Sequence, residues 1–131
     1  RLGFGTIFLD YNNDSHLDLF VANGHLSPSI EQSTDTVTYA QPDQLFQNNG
    51  NGTFTQIMSK SNLCLQKPFV SRSSILGDYD NDGDLDVYTG YNFDSTNSET
   101  SELMLNNGDG TFSNIPSQSQ PALDFVETLF K

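Results

Sequence analysis

Eight of the seventeen acidic residues of this chain stand in two nine-residue windows, 10–18 and 78–86. In the second window Asp78, Asp80, Asp82 and Asp86 occupy positions 1, 3, 5 and 9, and the backbone carbonyl of Asp84 can join them from position 7. A tightly curled turn with this spacing directs several hard oxygens at one point. Calcium accepts such a set at flexible distances of about 2.3–2.6 Å, whereas magnesium demands a stricter octahedron. Gly83 at position 6 permits the sharp backbone reversal between ligands. Without a cation, five aspartates over nine residues repel one another and raise their own pKa values. The window therefore predicts bound calcium, against the plainer alternative of a solvated acidic turn.

The first window repeats the pattern with Asp10, Asn12, Asp14 and Asp18, and with the His16 carbonyl at position 7. Two departures weaken it. Asn12 supplies a neutral oxygen, and Ser15 stands where the turn prefers Gly, at a strain cost if the backbone enters the left-handed region. His16 has no second imidazole or thiol at ligand spacing, so its side chain is expected to face solvent. Two calcium ions, one per window, are the expected cofactors. An EF-hand is disfavoured: the twelfth residues are Val21 and Thr89, not Glu, and what precedes them alternates like a strand.

Other chemistries have little to work with. Aspartates saturated as ligands keep no reserve for proton transfer, and His16 and His25 assemble no Ser-His-Asp grouping, so the chain does not read as an enzyme. Cys64 is alone, which excludes an intrachain disulfide and a thiolate zinc cluster and leaves it as a small buried hydrophobe. The formal charge of -12, from 5 basic and 17 acidic residues, makes nucleic acid or an anionic membrane a poor partner. No run approaches the roughly 20 apolar residues needed to span a bilayer. The start, Arg1-Leu2-Gly3-Phe4, lacks an initiator Met and a signal-like segment, as expected of a processed or excised piece.

The elements that must position these windows form a repeat. Residues 9–21 answer to 77–89 at an offset of 68, and Leu45-Phe46-Gln47-Asn48-Asn49-Gly50-Asn51-Gly52-Thr53-Phe54 answers to 103–112 at an offset of 58. The difference of ten residues marks an insertion in the first unit, placed at 25–42, where Pro28 and several Ser and Thr residues suggest an exposed loop. Alternation places strands at 3–9, 17–22, 44–48 and 53–57, then at 73–77, 85–90, 102–105 and 111–115. The Asn/Gly runs at 49–52 and 107–110 read as hairpin corners. The units are 1–59 and 69–115, joined by a linker at 60–68 and followed by an extension at 116–131, which is either a short helix or the first strand of a further unit. The fold class is all-β, with two four-stranded units of the kind that build propeller blades.

The run Asp78-Tyr79-Asp80-Asn81-Asp82-Gly83-Asp84-Leu85-Asp86, followed by Leu105-Asn106-Asn107-Gly108-Asp109-Gly110-Thr111-Phe112, resembles the FG-GAP/VCBS repeat family, related to the calcium-bearing blades of integrin α-subunits. The order from Asp14 to His25 and then Gln41 to Asn48 is similar to the cartilage acidic protein 1 and UnbV-like group. The resemblance spans about positions 1–115 and implies a β-propeller, extracellular or on the cell surface, used for adhesion or protein contact. It also implies metal ligation by Asp78, Asp80, Asp82 and Asp86, with Asp84 through its carbonyl, and by Asp10, Asn12, Asp14 and Asp18, with His16 through its carbonyl. Two units cannot close a ring of roughly four or more blades, so the chain is expected to be a piece of a longer propeller or to associate with copies of itself. Tyr39, Tyr91 and Phe93, with the loops 25–42 and 92–100, are candidates for a surface that binds protein or glycan, or else for packing between blades.

Overall fold

The computed structural model describes residues 1–58, 63–91 and 101–115. Ten strands occur in them: β1 (Gly3–Leu9), β2 (Asp18–Asn23), β3 (Gln41–Pro42), β4 (Gln44–Asn48), β5 (Phe54–Ile57), β6 (Pro68–Phe69), β7 (Ser71–Gly77), β8 (Asp86–Tyr91), β9 (Ser101–Asn106) and β10 (Phe112–Ile115). Their only helical companions among the described residues are two 3-10 turns, Ile30–Gln32 and Leu63–Gln66. The protein is all-β, and its eight longer strands coincide within two residues with those expected from alternation.

These eight strands form two antiparallel sheets of the same design, ordered β1-β2-β4-β5 and β7-β8-β9-β10. Register makes the equivalence concrete. Leu9 pairs with Asp18 at the end of the β1–β2 hairpin, and Gly77 pairs with Asp86 at the end of β7–β8, so each acidic window is the tip of its sheet's first hairpin. A bulge interrupts the far end of both hairpins, between Gly3 and Gly5 and between Ser71 and Ser73. Such bulges add local twist, which a blade needs in order to pack on a neighbour.

The sheets pack on each other through β1 and β7. Gly5 marks their closest approach: a Cβ there would come 2.8 Å from the Ser74 amide nitrogen, so only glycine fits. The core is continuous between the sheets, with Leu9, Phe20, Ala22 and Leu45 from one, Val87, Met104 and Phe112 from the other, and Leu65 closing it from the connecting segment. Removing this apolar surface from water is the main driving force holding the two sheets together.

Two features go beyond the expected strands. The end of the 25–42 insertion and the start of the second unit meet as a two-stranded ribbon, Gln41 with Phe69 and Pro42 with Pro68, so Pro68 lies in a strand. Proline suits it because an edge ribbon this short asks for few ladder amides. Arg72 then fastens the insertion, donating to the His25 carbonyl at 2.7 Å and lying over the Phe4 ring at 4.3 Å. Tyr91 is taken up by packing: it stacks on Phe69 at 4.2 Å and donates its hydroxyl to Glu102 at 2.6 Å. That half-buried position removes Tyr91 from the candidate binding surface. Tyr39 is half-buried as well, its amide donating to Glu31. Phe93, the 92–100 loop and the 116–131 extension lie outside the described residues, as does the Cys64 side chain.

Candidate metal centres

Each acidic window folds as a loop that hydrogen-bonds to itself. In the first, Asp10 accepts the amides of Asp14 at 3.0 Å and Ser15 at 2.8 Å, and Asp14 accepts that of His16 at 2.9 Å. In the second, Asp78 accepts the amide of Gly83 at 3.2 Å and Asp82 that of Asp84 at 2.9 Å. Short polar side chains that capture amides two to five residues on curl the chain tightly and aim the remaining oxygens inward. The curl requires left-handed backbone. Asn13 and Asn81 sit at φ 58° and 60°, as Asn tolerates, while Ser15 is at φ 68° where its counterpart Gly83 is at 97°.

The result is convergence. One carboxylate oxygen each from Asp10, Asp14 and Asp18 lies within 4.8 Å of the others, and the same holds for Asp78, Asp80 and Asp86. Oxygens ~2.4 Å from a common centre stand no more than about 4.8 Å apart, so both triads have the span of a calcium shell. The donors are all hard oxygens, which suits calcium better than zinc or copper. Asn12 lies beside the first triad, its amide nitrogen 2.9 Å from Asp14, and Asp82 stays outside the second. The position 7 side chains are turned to other work. Asp84 accepts the Asn13 amide at 2.9 Å, bridging the two loops, and the exposed His16 ring lies over Gly50. Neither side chain belongs to the triad of its loop.

Position 9 differs from the rest. Asp18 and Asp86 are buried, and each accepts two backbone amides. One comes from the tyrosine after the first aspartate, Tyr11 at 3.2 Å or Tyr79 at 2.7 Å. The other comes from the asparagine ending the third strand of the sheet, Asn48 at 2.7 Å or Asn106 at 2.8 Å. The same asparagines return a side-chain bond to the carbonyls of Leu17 and Leu85. Burial pushes the carboxyls of Asp18 and Asp86 above the usual range, the amides pull them back, and neighbouring aspartates add to the rise. A cation at the triad would offset both the burial and the repulsion. Asn48 and Asn106 are not among the site residues expected from the sequence, which places Asn48 at the end of a strand and Asn106 between a strand and a hairpin corner. The signal that marks them is the recurrence of the same Asn before both Asn-Gly turns.

A third acidic feature lies away from the loops. Asp43 is buried, accepting the Asn23 amide at 2.7 Å and the Ser71 hydroxyl at 3.0 Å, and burial pushes its carboxyl up to about 7. It borders an open cavity lined in part by Arg1, Gln56 and Leu65.

A model of the FG-GAP-like repeat matches residues 10–89 and again 78–127, so that the two matches together cover most of the chain and each includes an acidic window. Among curated proteins no significant match to the chain is found. No helix among the described residues is long and apolar enough to cross a membrane.

Proposed function

Because the chain belongs to the FG-GAP-like repeat family, we propose that it is a calcium-stabilised binding or adhesion module of the extracellular space or cell surface, with one calcium ion in each acidic turn. The observation that carries this reading is the double engagement of Asp18 and Asp86, each a member of a converging triad and also an acceptor from the hairpin that follows. An ion held there clamps three strands, because the ligand nearest the core is itself tied to the start of the Asn-Gly turn. The ligands are Asp10, Asp14 and Asp18, with Asn12 and the His16 carbonyl, and Asp78, Asp80 and Asp86, with Asp82 and the Asp84 carbonyl.

In this reading the metal is structural, and binding energy appears as folding energy. The carboxylates are occupied as ligands and amide acceptors, which leaves them no proton to transfer, so no catalytic role is assigned. Extracellular calcium modules of this kind work at dissociation constants of about 10⁻⁴ to 10⁻³ M, matched to exposed loops with mixed ligand charge. The partner class is protein or glycan, met by the loops and edges that the two sheets display.

Calorimetric titration of the chelator-treated chain with calcium and with magnesium tests the reading. Calcium is expected to bind at two sites of unequal strength and to raise the melting temperature, with magnesium far weaker. Absence of calcium binding in a folded chain would overturn it.

A further inference from the structure

The two acidic loops touch each other, and the residues that touch stand beside the proposed ligands. Asn13, at φ 58° between Asn12 and Asp14, donates its side-chain amide to the Asp84 carboxylate at 2.9 Å. Asp84 lies in the second loop, where its own amide donates to Asp82 at 2.9 Å. Its second carboxylate oxygen lies so close to Gly108 that a Cβ there would displace it. Asp84 is therefore held between the first loop and the last hairpin of its own sheet. That hairpin offers a second link. Tyr11, between Asp10 and Asn12, gives its amide to Asp18, stacks its ring on Phe112 at 6.3 Å and is 4% exposed. A Cβ on Gly110 would meet Tyr11 at 3.7 Å and Asn12 at 3.8 Å. The same hairpin follows Asn106, whose amide donates to Asp86 of the second triad. Both links lie inside the contact between the two sheets.

We infer that the two calcium sites proposed above are coupled, an ion in either loop strengthening the hold on an ion in the other, with the Asn13–Asp84 bond as the main coupling element. This coupling presupposes the calcium reading and adds to it a dependence between the loops.

The sign follows from what each ion must order and from charge. Closing a loop on an ion fixes the side chains along it, at a cost in conformational entropy. When one loop is already fixed, the side chain it bonds in the other is fixed with it, and less remains to be ordered when the second ion arrives. The opposing effect is repulsion between the two cations. The Asp84 carboxylate offsets it, because it is a negative charge outside the triad of its loop and bonded across to the first loop. Coupling of this kind is reciprocal: each ion must raise the affinity for the other by the same factor.

Calcium titration of the whole chain, followed by NMR at the amides of Ser15 and Gly83, tests this site by site, because each amide donates to the first aspartate of its own loop. The second site is emptied with Asp80→Ala, once with Asn13 present and once in an Asn13→Gly background. Glycine keeps the left-handed backbone and removes only the bridging amide. Loss of the Asp80 charge acts alike in both backgrounds, so the ratio of the two effects reads the bond alone. Emptying the second site is expected to weaken calcium at Ser15 about fivefold more with Asn13 than with glycine, the low end for linked sites because the bond is exposed. The reciprocal arm empties the first site with Asp14→Ala, follows Gly83, and is expected to give the same factor. Asp80→Asn and Asp14→Asn take the place of any alanine variant that does not fold in chelator. Equal effects in the two backgrounds, or tighter binding at one site when the other is emptied, would overturn the coupling. Calcium bound at two unlinked sites sinks the coupling alone, whereas a folded chain that binds no calcium sinks it together with the metal reading.

Discussion

The two acidic turns follow the same backbone path with different side chains, and the differences show which parts of the site the fold requires and which it merely accepts. Both turns end on a buried aspartate that takes one amide from within the loop and one from the neighbouring hairpin. Both place Asn in the left-handed region at position 4. At positions 3 and 6 they diverge, with Asn12 against Asp80 and Ser15 against Gly83. Position 9 belongs to the sheet as much as to the carboxylate triad. Positions 3 and 6, on the proposed reading, only adjust how strongly an ion would be held and how easily the turn forms.

The most severe break in the comparison is therefore at position 9. Asp86→Asn leaves one of the two amides of Tyr79 and Asn106 facing an NH2 group, a cost of about 1–3 kcal/mol for a buried donor left unpaired. It also removes a central ligand, which forfeits a further ~2.7 kcal/mol at a hundredfold excess of calcium over Kd. Asp18→Asn is expected to show the same first cost and a smaller calcium-dependent one, because its site has the weaker ligand set. Urea denaturation with calcium and with chelator separates the two parts. If chelator abolished the whole effect of either substitution, the bonds to the hairpin would have no structural weight.

A second contrast lies at the base of the sheets, where Asp43 of the first unit corresponds to Ser101 of the second. The carboxyl of Asp43 is held near pH 7 by burial, above its ordinary value in the unfolded chain. Between these two values the folded protein binds more protons than the unfolded one, so the contribution of Asp43 to stability is greatest below about pH 4 and declines until about pH 7. Asp43→Asn keeps an acceptor for the Asn23 amide and can pair with the Ser71 hydroxyl. It is expected to match the native chain at pH 4 and exceed it above pH 7, by up to ~4 kcal/mol on the pKa difference. Comparing the two proteins in chelator across this range cancels the loop carboxylates common to both. A constant difference over the whole range would show that Asp43 is ionised throughout.

Most of this architecture is legible in the sequence, because it is written twice. Alternation located the eight long strands, and the offsets of 68 and 58 tied each acidic loop and each Asn-Gly corner to its partner. The spacing at 78, 80, 82 and 86 announced a convergence that the geometry contains for three of the four carboxylates. What sequence could not expose were contacts with no local period. The pairing of Gln41–Pro42 with Pro68–Phe69 joins an insertion to a connection and has no counterpart among the described residues of the other unit. The amide of Asn48 reaches Asp18 across 30 residues, and a backbone donor leaves no trace in residue type. The sequence leaves Tyr91 open between a binding surface and packing, because the neighbours that decide it, Phe69 and Glu102, are distant in the chain.

The smallest expected effect is also the most direct comparison of the loops, at position 6. Ser15 at φ 68° bears a left-handed penalty that Gly83 does not, of the order of 1–2 kcal/mol, since a side chain crowds the backbone there. Glycine has an entropic cost of its own in the unfolded chain, about 0.4–1 kcal/mol, which offsets part of the relief. Ser15→Gly is thus expected to stabilise the chelator-treated protein by about 0.5–1 kcal/mol, and Gly83→Ser to destabilise it by a similar amount. Space does not enter into the second change, because a Cβ on Gly83 would meet nothing within 4 Å. The amide bonds match as well, Ser15 to Asp10 and Gly83 to Asp78, which leaves backbone conformation as the variable. Thermal melts of the two single variants and of the exchanged double variant, whose midpoint should lie close to that of the native chain, read the balance. If both single changes moved stability in the same direction, position 6 would not be equivalent in the two turns, and their likeness would end at the pattern of carboxylates.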